Sequence, residues 1–100
     1  MGEFKISKLI SIVVPVYNKE PFIERCVQSL VDLEMDHSLI EAIFVDDVSS
    51  DRSYEILQYY DDKYDFIKCI QLEQNSGSPA EPRNVGIEVA NGEYIALLDA

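Results

Sequence analysis

The chain has 100 residues, 47% of them apolar, which is enough for one domain or part of one, since domains run to roughly 100 to 150 residues. Eight Lys plus Arg against 19 Asp plus Glu leave a formal net charge of −11, which repels phosphate backbones and anionic lipid heads and so excludes nucleic acid as a partner. A nucleotide diphosphate stays admissible when a divalent cation bridges carboxylates to phosphates, because the ion is then the largest local positive charge.

Residues 1–8 read as an N-terminal extension. Met1 to Lys8 lacks the apolar h-region of a signal peptide, and Ile6 occupies the Ser/Thr position of a myristoylation pattern. No apolar run approaches the ~18 residues of a membrane span. Leu9 to Val16 is a nearly unbroken β-branched run, the pattern of a strand covered on both faces, ending around the donorless Pro15. From Pro21 the apolar positions Phe22, Ile23, Cys26, Val27, Leu30 and Val31 recur at helical spacing. Ile40 to Val45 makes a second strand. The polar stretch Asp46 to Asp51 leads into a helix carrying Tyr54, Ile56, Leu57 and Tyr60, with Ser50 or Asp51 as its cap. A third strand spans Phe66 to Leu72. The loop Glu73 to Ser78 opens a third helix, with Pro79 and Pro82 competing for its first turn and Asn91-Gly92 supplying a left-handed stop near Ala90. The last strand runs from Glu93 to Leu98.

Strands alternating with helices predict βαβ units, an α/β fold with a parallel sheet and right-handed crossovers. Ligands in such open sheets bind beyond the carboxyl ends of the strands. That rule selects Pro15 to Asn18, Asp46 to Asp51, Gln74 to Arg83 and Asp99. Asp46 and Asp47 at a strand terminus suit ring nitrogens or ribose hydroxyls, although either could merely cap its loop. Asp99 ends an apolar strand and must be solvated, paired or metal-bound. Arg83 brings a planar cation toward a phosphate or a loop carboxylate, or forms an ordinary helix-side ion pair. Tyr17 and Asn18 could meet a base, or Asn18 could cap the first helix. His37 reads as a solvated loop residue and Asp61 to Asp65 as a solvated turn. Cys26 and Cys69, without C-x-x-C spacing, read as buried free thiols suited to a reducing compartment. Gly2, Gly77, Gly86 and Gly92 form neither a dinucleotide fingerprint nor a P-loop.

Taken in order, SIVVPVYN at Ser11 to Asn18, VDDVSSD at Val45 to Asp51, N-S-G followed by P-R-N within Asn75 to Asn84, and NGEYIALLDA at Asn91 to Ala100 resemble family 2 glycosyltransferases of the GT-A fold. The resemblance covers Leu9 onward. It implies a Rossmann-like parallel sheet with flanking helices, about four strands and three helices, with residues 9–100 as the nucleotide-binding part of the domain, ending at the D-x-D motif. Pro15 and Tyr17 would line the nucleoside pocket, Asp47 would bond the base, commonly uracil, and Asp46 lies beside it. Arg83 matches an arginine near the nucleotide. Asp99 matches the first D-x-D carboxylate, on the ribose or the shell of a Mg²⁺ or Mn²⁺ ion, whose usual direct ligand would follow Ala100. Val48 stands where many members carry Gly, and Pro82 precedes Arg83 where a small residue is common. The N-S-G-x-P-x-x-P-R-N run looks most like bacterial cell-wall, teichoic-acid and capsule enzymes.

The implied reaction moves a sugar from a nucleotide donor, UDP-linked by resemblance, to a hydroxyl of a polysaccharide, teichoic-acid or lipid-linked acceptor, with inversion by one in-line displacement. The implied location is cytoplasmic, with membrane association only through segments not present here. No catalytic base is expected within these residues, so the chain alone should bind nucleotide weakly and transfer nothing. Two other readings stay open: a non-catalytic module of the same shape, and a sugar nucleotidyltransferase, whose G-rich basic signature Leu9 to Asn18 lacks.

Overall fold

The computed structural model describes residues 8–100, so what the sequence suggests for residues 1–7 of the extension lies outside the described residues. Its strands are β1 (Ile10–Val16), β2 (Ile40–Asp46), β3 (Ile67–Gln71) and β4 (Tyr94–Leu97), and its helices are α1 (Glu20–Val31), α2 (Ser53–Lys63) and α3 (Ala80–Val89). The strands form one parallel sheet in the order β3-β2-β1-β4. The chain therefore steps outward twice and then returns to the far side of β1.

Right-handed crossovers require that reversal to place α3 on the opposite face from α1 and α2, and the packing agrees. Ile12, Val14 and Val16 of β1 join Ala42 and Phe44 of β2 in one core with Ile23, Val27 and Leu30 of α1 and Leu57 of α2. Val13 faces the other way, against α3, where a Cβ on Gly86 would overlap its side chain. Glycine at that position is what lets α3 lie close to the sheet. All seven residues of β2 are buried, as a central strand covered on both faces requires.

Pro15 pairs with Val45 inside the ladder. Because Val13 accepts from Leu98 N–H on the β4 side, Pro15, two residues on, turns its donorless nitrogen to that same side. The last paired residues there are Val13 and Leu97, so no hydrogen bond is lost, and β1 and β4 part just beyond them.

Four local expectations are corrected. Asn91 and Gly92 are not left-handed: among the described residues positive φ occurs only at Asn18, Val48 and Gly77, and α3 stops because Ala90 turns extended. Gly92 is instead a close approach, where a Cβ would sit 2.6 Å from Ser11 N. His37 is half-buried and stacks on Phe66 at 4.2 Å. Asp61 to Lys63 finish α2 rather than forming a turn, and the Asp61 carboxylate accepts from Cys69 N–H at 2.7 Å. Both cysteines are free and half-buried. Burial, with the charges of Asp46 and Asp61 behind it, pushes the Cys69 thiol up to about 12. Lys8 is tied into the fold, its Nζ donating to Ser38 O at 3.0 Å.

Candidate active site

Parallel strands bring all their carboxyl ends to one rim, and hydrogen bonds prolong the ladder into the loops there. Asp47 N–H donates to Val16 O at 2.8 Å, Leu72 N–H to Asp46 O at 2.9 Å, and Leu98 N–H to Val13 O at 3.0 Å. The loops after β1 and β2 are then stapled together. Asn18, at φ 52°, accepts from Ser50 N–H at 2.7 Å and donates its own N–H to Ser49 Oγ at 2.9 Å. Asn18 thus braces the neighbouring loop and does not cap α1, whose N-cap residue Lys19 makes no side-chain capping bond. The Asp51 carboxylate accepts from Glu20 N–H at 3.1 Å and Ser53 N–H at 2.9 Å, joining the starts of α1 and α2. Burial raises its pKa, but these donors outweigh that effect and hold it below the ordinary range.

Where β1 and β4 part, at the point where the strand order reverses, a cavity of about 560 Å³ opens, within the range of small-ligand sites. Five of the six candidate residues meet there: Pro15 and Tyr17 from the end of β1, Asp47 from the end of β2, Arg83 from α3 and Asp99 from the end of β4. Tyr17 is exposed, whereas Asp47 is only 4% exposed. Arg83 Nη2 lies 3.2 Å from Asp99 Oδ1, while Arg83 Nε is buried without a hydrogen-bond partner among the described residues. That donor marks a cation whose bonding capacity the described residues do not meet.

The sixth candidate is placed differently. Asp46 is fully buried and does not line the cavity. Its carboxylate is taken up by Ser49 N–H at 3.0 Å, the Ser49 hydroxyl at 2.5 Å and Gln71 Nε2 at 3.2 Å. Those bonds shape the loop that presents Asp47.

Asn75 and Ser78 line the cavity from within the stretch Gln74 to Arg83 that the rim rule selects, whereas sequence reading missed Lys19. Lys19 had a usable signal, being one of only eight basic residues and lying just past a strand terminus. For a divalent cation, no group of three or more His, Cys, Asp or Glu stands together among the described residues. Asp99 nevertheless fits as one oxygen ligand, since its side chain is largely exposed and Mg²⁺ takes one or two carboxylates together with substrate phosphates. No helix of the described residues is long and apolar enough to cross a membrane.

Comparison with known proteins gives these geometries a family. The chain is 47% identical over 91 residues to the poly(ribitol-phosphate) beta-glucosyltransferase of Bacillus spizizenii, covering 91% of this chain and 14% of that protein. It is 38% identical over 90 residues to the poly(ribitol-phosphate) beta-N-acetylglucosaminyltransferase TarS of Staphylococcus aureus, 16% of whose length it spans. The structure of TarS 1-349 in complex with UDP-GlcNAc superposes with a TM-score of 0.85 at 37% identity over 91% of this chain and 26% of that one. The Pyrobaculum calidifontis mannosyltransferase PcManGT, solved with GDP-Man and Mn²⁺, shares the fold at a TM-score of 0.83 and 20% identity, over 94% of this chain and 28% of that one. The chain thus spans about a sixth or less of the length of these two relatives. With residues 11–100 matching the family described as "Glycosyl transferase family 2", the chain belongs to that family and has the GT-A architecture.

Proposed function

We propose that the cavity between β1 and β4 receives a nucleoside diphosphate sugar, UDP-linked, for transfer to a hydroxyl of a teichoic-acid-type polymer. The reading rests on one observation above all: Tyr17, Asp47, Arg83 and Asp99, from four separate stretches of chain, line one crevice at the carboxyl rim of the sheet. Tyr17 offers a face on which a base stacks, and the Asp47 carboxylate accepts from a base N–H. Arg83, with an unmet Nε donor, faces the diphosphate, for which its planar fork suits two phosphate oxygens. Lys19 adds a second cation at the same mouth. Asp46 shapes the loop and is assigned no ligand contact.

Asp99 would hold a divalent cation together with the diphosphate, and the cation would supply Lewis-acid neutralisation of charge growing on the leaving group. For that, Asp99 must exchange its pairing with Arg83, an exposed contact worth little in water. UDP and UDP-GlcNAc in the TarS structures, and the poly(ribitol-phosphate) in the names of both curated relatives, support this choice of donor and acceptor. Inversion through a single displacement is part of the proposal. Neither cavity carboxylate is assigned as the base, so the 100-residue chain is expected to bind nucleotide weakly and to transfer no sugar.

The test is UDP titration of the chain and of Asp47→Ala, each with and without Mn²⁺. Loss of one charge-assisted hydrogen bond predicts affinity about tenfold weaker in the variant, with tighter binding in Mn²⁺ for both. Equal affinity in all four measurements overturns the donor-site reading and favours a non-catalytic module.

A further inference from the structure

Asp47 is the one side chain lining the cavity that is both charged and almost wholly buried, yet among the described residues it takes part in no salt bridge. Among the described residues both its carboxylate oxygens are served by one neighbour in the loop between β3 and α3. Ser76 N–H donates to Oδ1 at 2.8 Å and the Ser76 hydroxyl to Oδ2 at 2.7 Å. Asn75 Nδ2 meanwhile donates to Asp47 O at 2.8 Å, fixing the backbone of the same residue. The loop is bent to reach it: Gly77 N–H donates to Asn75 Oδ1 at 3.0 Å, and Gly77 takes φ 76°, a left-handed angle that glycine holds without strain.

We infer that Ser76 is a positioning residue that turns Asp47 from a generic acceptor into a directional reader of the base, so that Ser76 sets the choice among nucleotides. The inference rests on the donor-site reading above. A carboxylate offers about four acceptor directions, of which Ser76 fills two, and the remaining two stay with the cavity. This matters for specificity because both pyrimidines carry a donor. Uracil presents a ring N–H and cytosine an exocyclic amine, and a freely rotating carboxylate accepts from either. A carboxylate pinned at both oxygens is addressed to one position only. Ser76 Oγ also lies 2.8 Å from Ser78 O. Its single proton serves one acceptor at a time, and the charged Asp47 oxygen, the stronger acceptor of the two, holds it.

The experiment compares UDP and CDP affinities by titration in the full chain, in Ser76→Ala, in Ser76→Thr and in Asp47→Ala, with circular dichroism confirming that each is folded. Expected are tighter UDP than CDP binding by about tenfold in the natural chain, a ratio falling to within about twofold in Ser76→Ala, and recovery in Ser76→Thr, which keeps the hydroxyl. A merely structural role lowers both affinities together and leaves the ratio alone, so that outcome overturns the inference. A natural ratio in Ser76→Ala overturns it too, while weakened UDP binding in Asp47→Ala leaves the donor-site reading standing. Unchanged UDP binding in Asp47→Ala, or no nucleotide binding by the natural chain, removes both.

Discussion

Val48 holds a backbone angle that β-branched side chains avoid, with φ at 56°. The cause lies on either side of it. Asp47 N–H is fixed to Val16 O, while Ser49 N–H is drawn back to the Asp46 carboxylate, so the chain must reverse at the residue between them. An L residue in this region is strained by about 1–2 kcal/mol, whereas glycine takes it freely but has more unfolded-state entropy to lose, about 0.5–1 kcal/mol. Val48→Gly is therefore expected to stabilise the chain by up to about 1 kcal/mol, read as a higher urea midpoint. A lower midpoint in Val48→Gly would show that the half-buried valine contributes more by packing than it loses to strain. The resemblance flagged Val48 as standing where glycine is common, so the oddity was legible from sequence. The angle was not, because it follows from hydrogen bonds to β1 and within the loop that no local pattern records.

At the scale of elements, Glu41 joins three of them. It is 1% exposed in β2, accepts from the Ser11 hydroxyl of β1 at 2.6 Å and from Asn91 N–H at 2.6 Å, and Ser11 Oγ in turn accepts from Gly92 N–H at 2.8 Å. This network fixes the turn that feeds β4, and hence the height at which Asp99 leaves the sheet. Burial raises the Glu41 pKa, but the hydrogen bonds from Ser11 and Asn91 outweigh it and hold the carboxyl below its ordinary 4.5. A depressed carboxylate contributes stability above its unfolded pKa and loses it as pH falls through the folded value. Glu41→Gln should thus be less stable at pH 7 by about 1–3 kcal/mol, with the gap narrowing as pH drops below about 4.5. Denaturant melts of both proteins at pH 7 and pH 4 check this, and a constant gap would contradict it. Periodicity made the strands and helices legible, to within a residue or two at most ends. It could not announce this network, whose partners lie 30 and 50 positions apart and which shows in the sequence only as one acid within an apolar strand. The same holds at the rim: the family motifs located Asp47, but Ser76, 29 positions away, was not singled out.

Across the whole molecule, apolar surface and charge pull in opposite directions. One sheet edge, β3, is short and carries Lys68 and Gln71, features that blunt further pairing. The other edge, β4, is exposed at every position and contains no charge: Tyr94, Ile95 and Leu97 are all large, and Ile87 and Val89 of α3 are exposed as well. An uncovered apolar edge of this kind templates pairing with another chain. Against that stands the net charge of −11, which makes every copy repel every other over roughly a Debye length. Salt removes the repulsion and leaves the apolar attraction, since the Debye length falls from about 10 Å at 0.1 M to about 3 Å at 1 M. The chain should therefore be more monomeric in dilute buffer and associate increasingly as salt is raised, the reverse of what ion pairing between copies would give. Leu97→Lys places a charge in the middle of the edge and should suppress association at every salt concentration while leaving the circular dichroism spectrum unchanged. Sedimentation velocity at low and high salt reads both effects. Association that weakens with salt, or persists undiminished in Leu97→Lys, would assign the contact to a charged face rather than to β4.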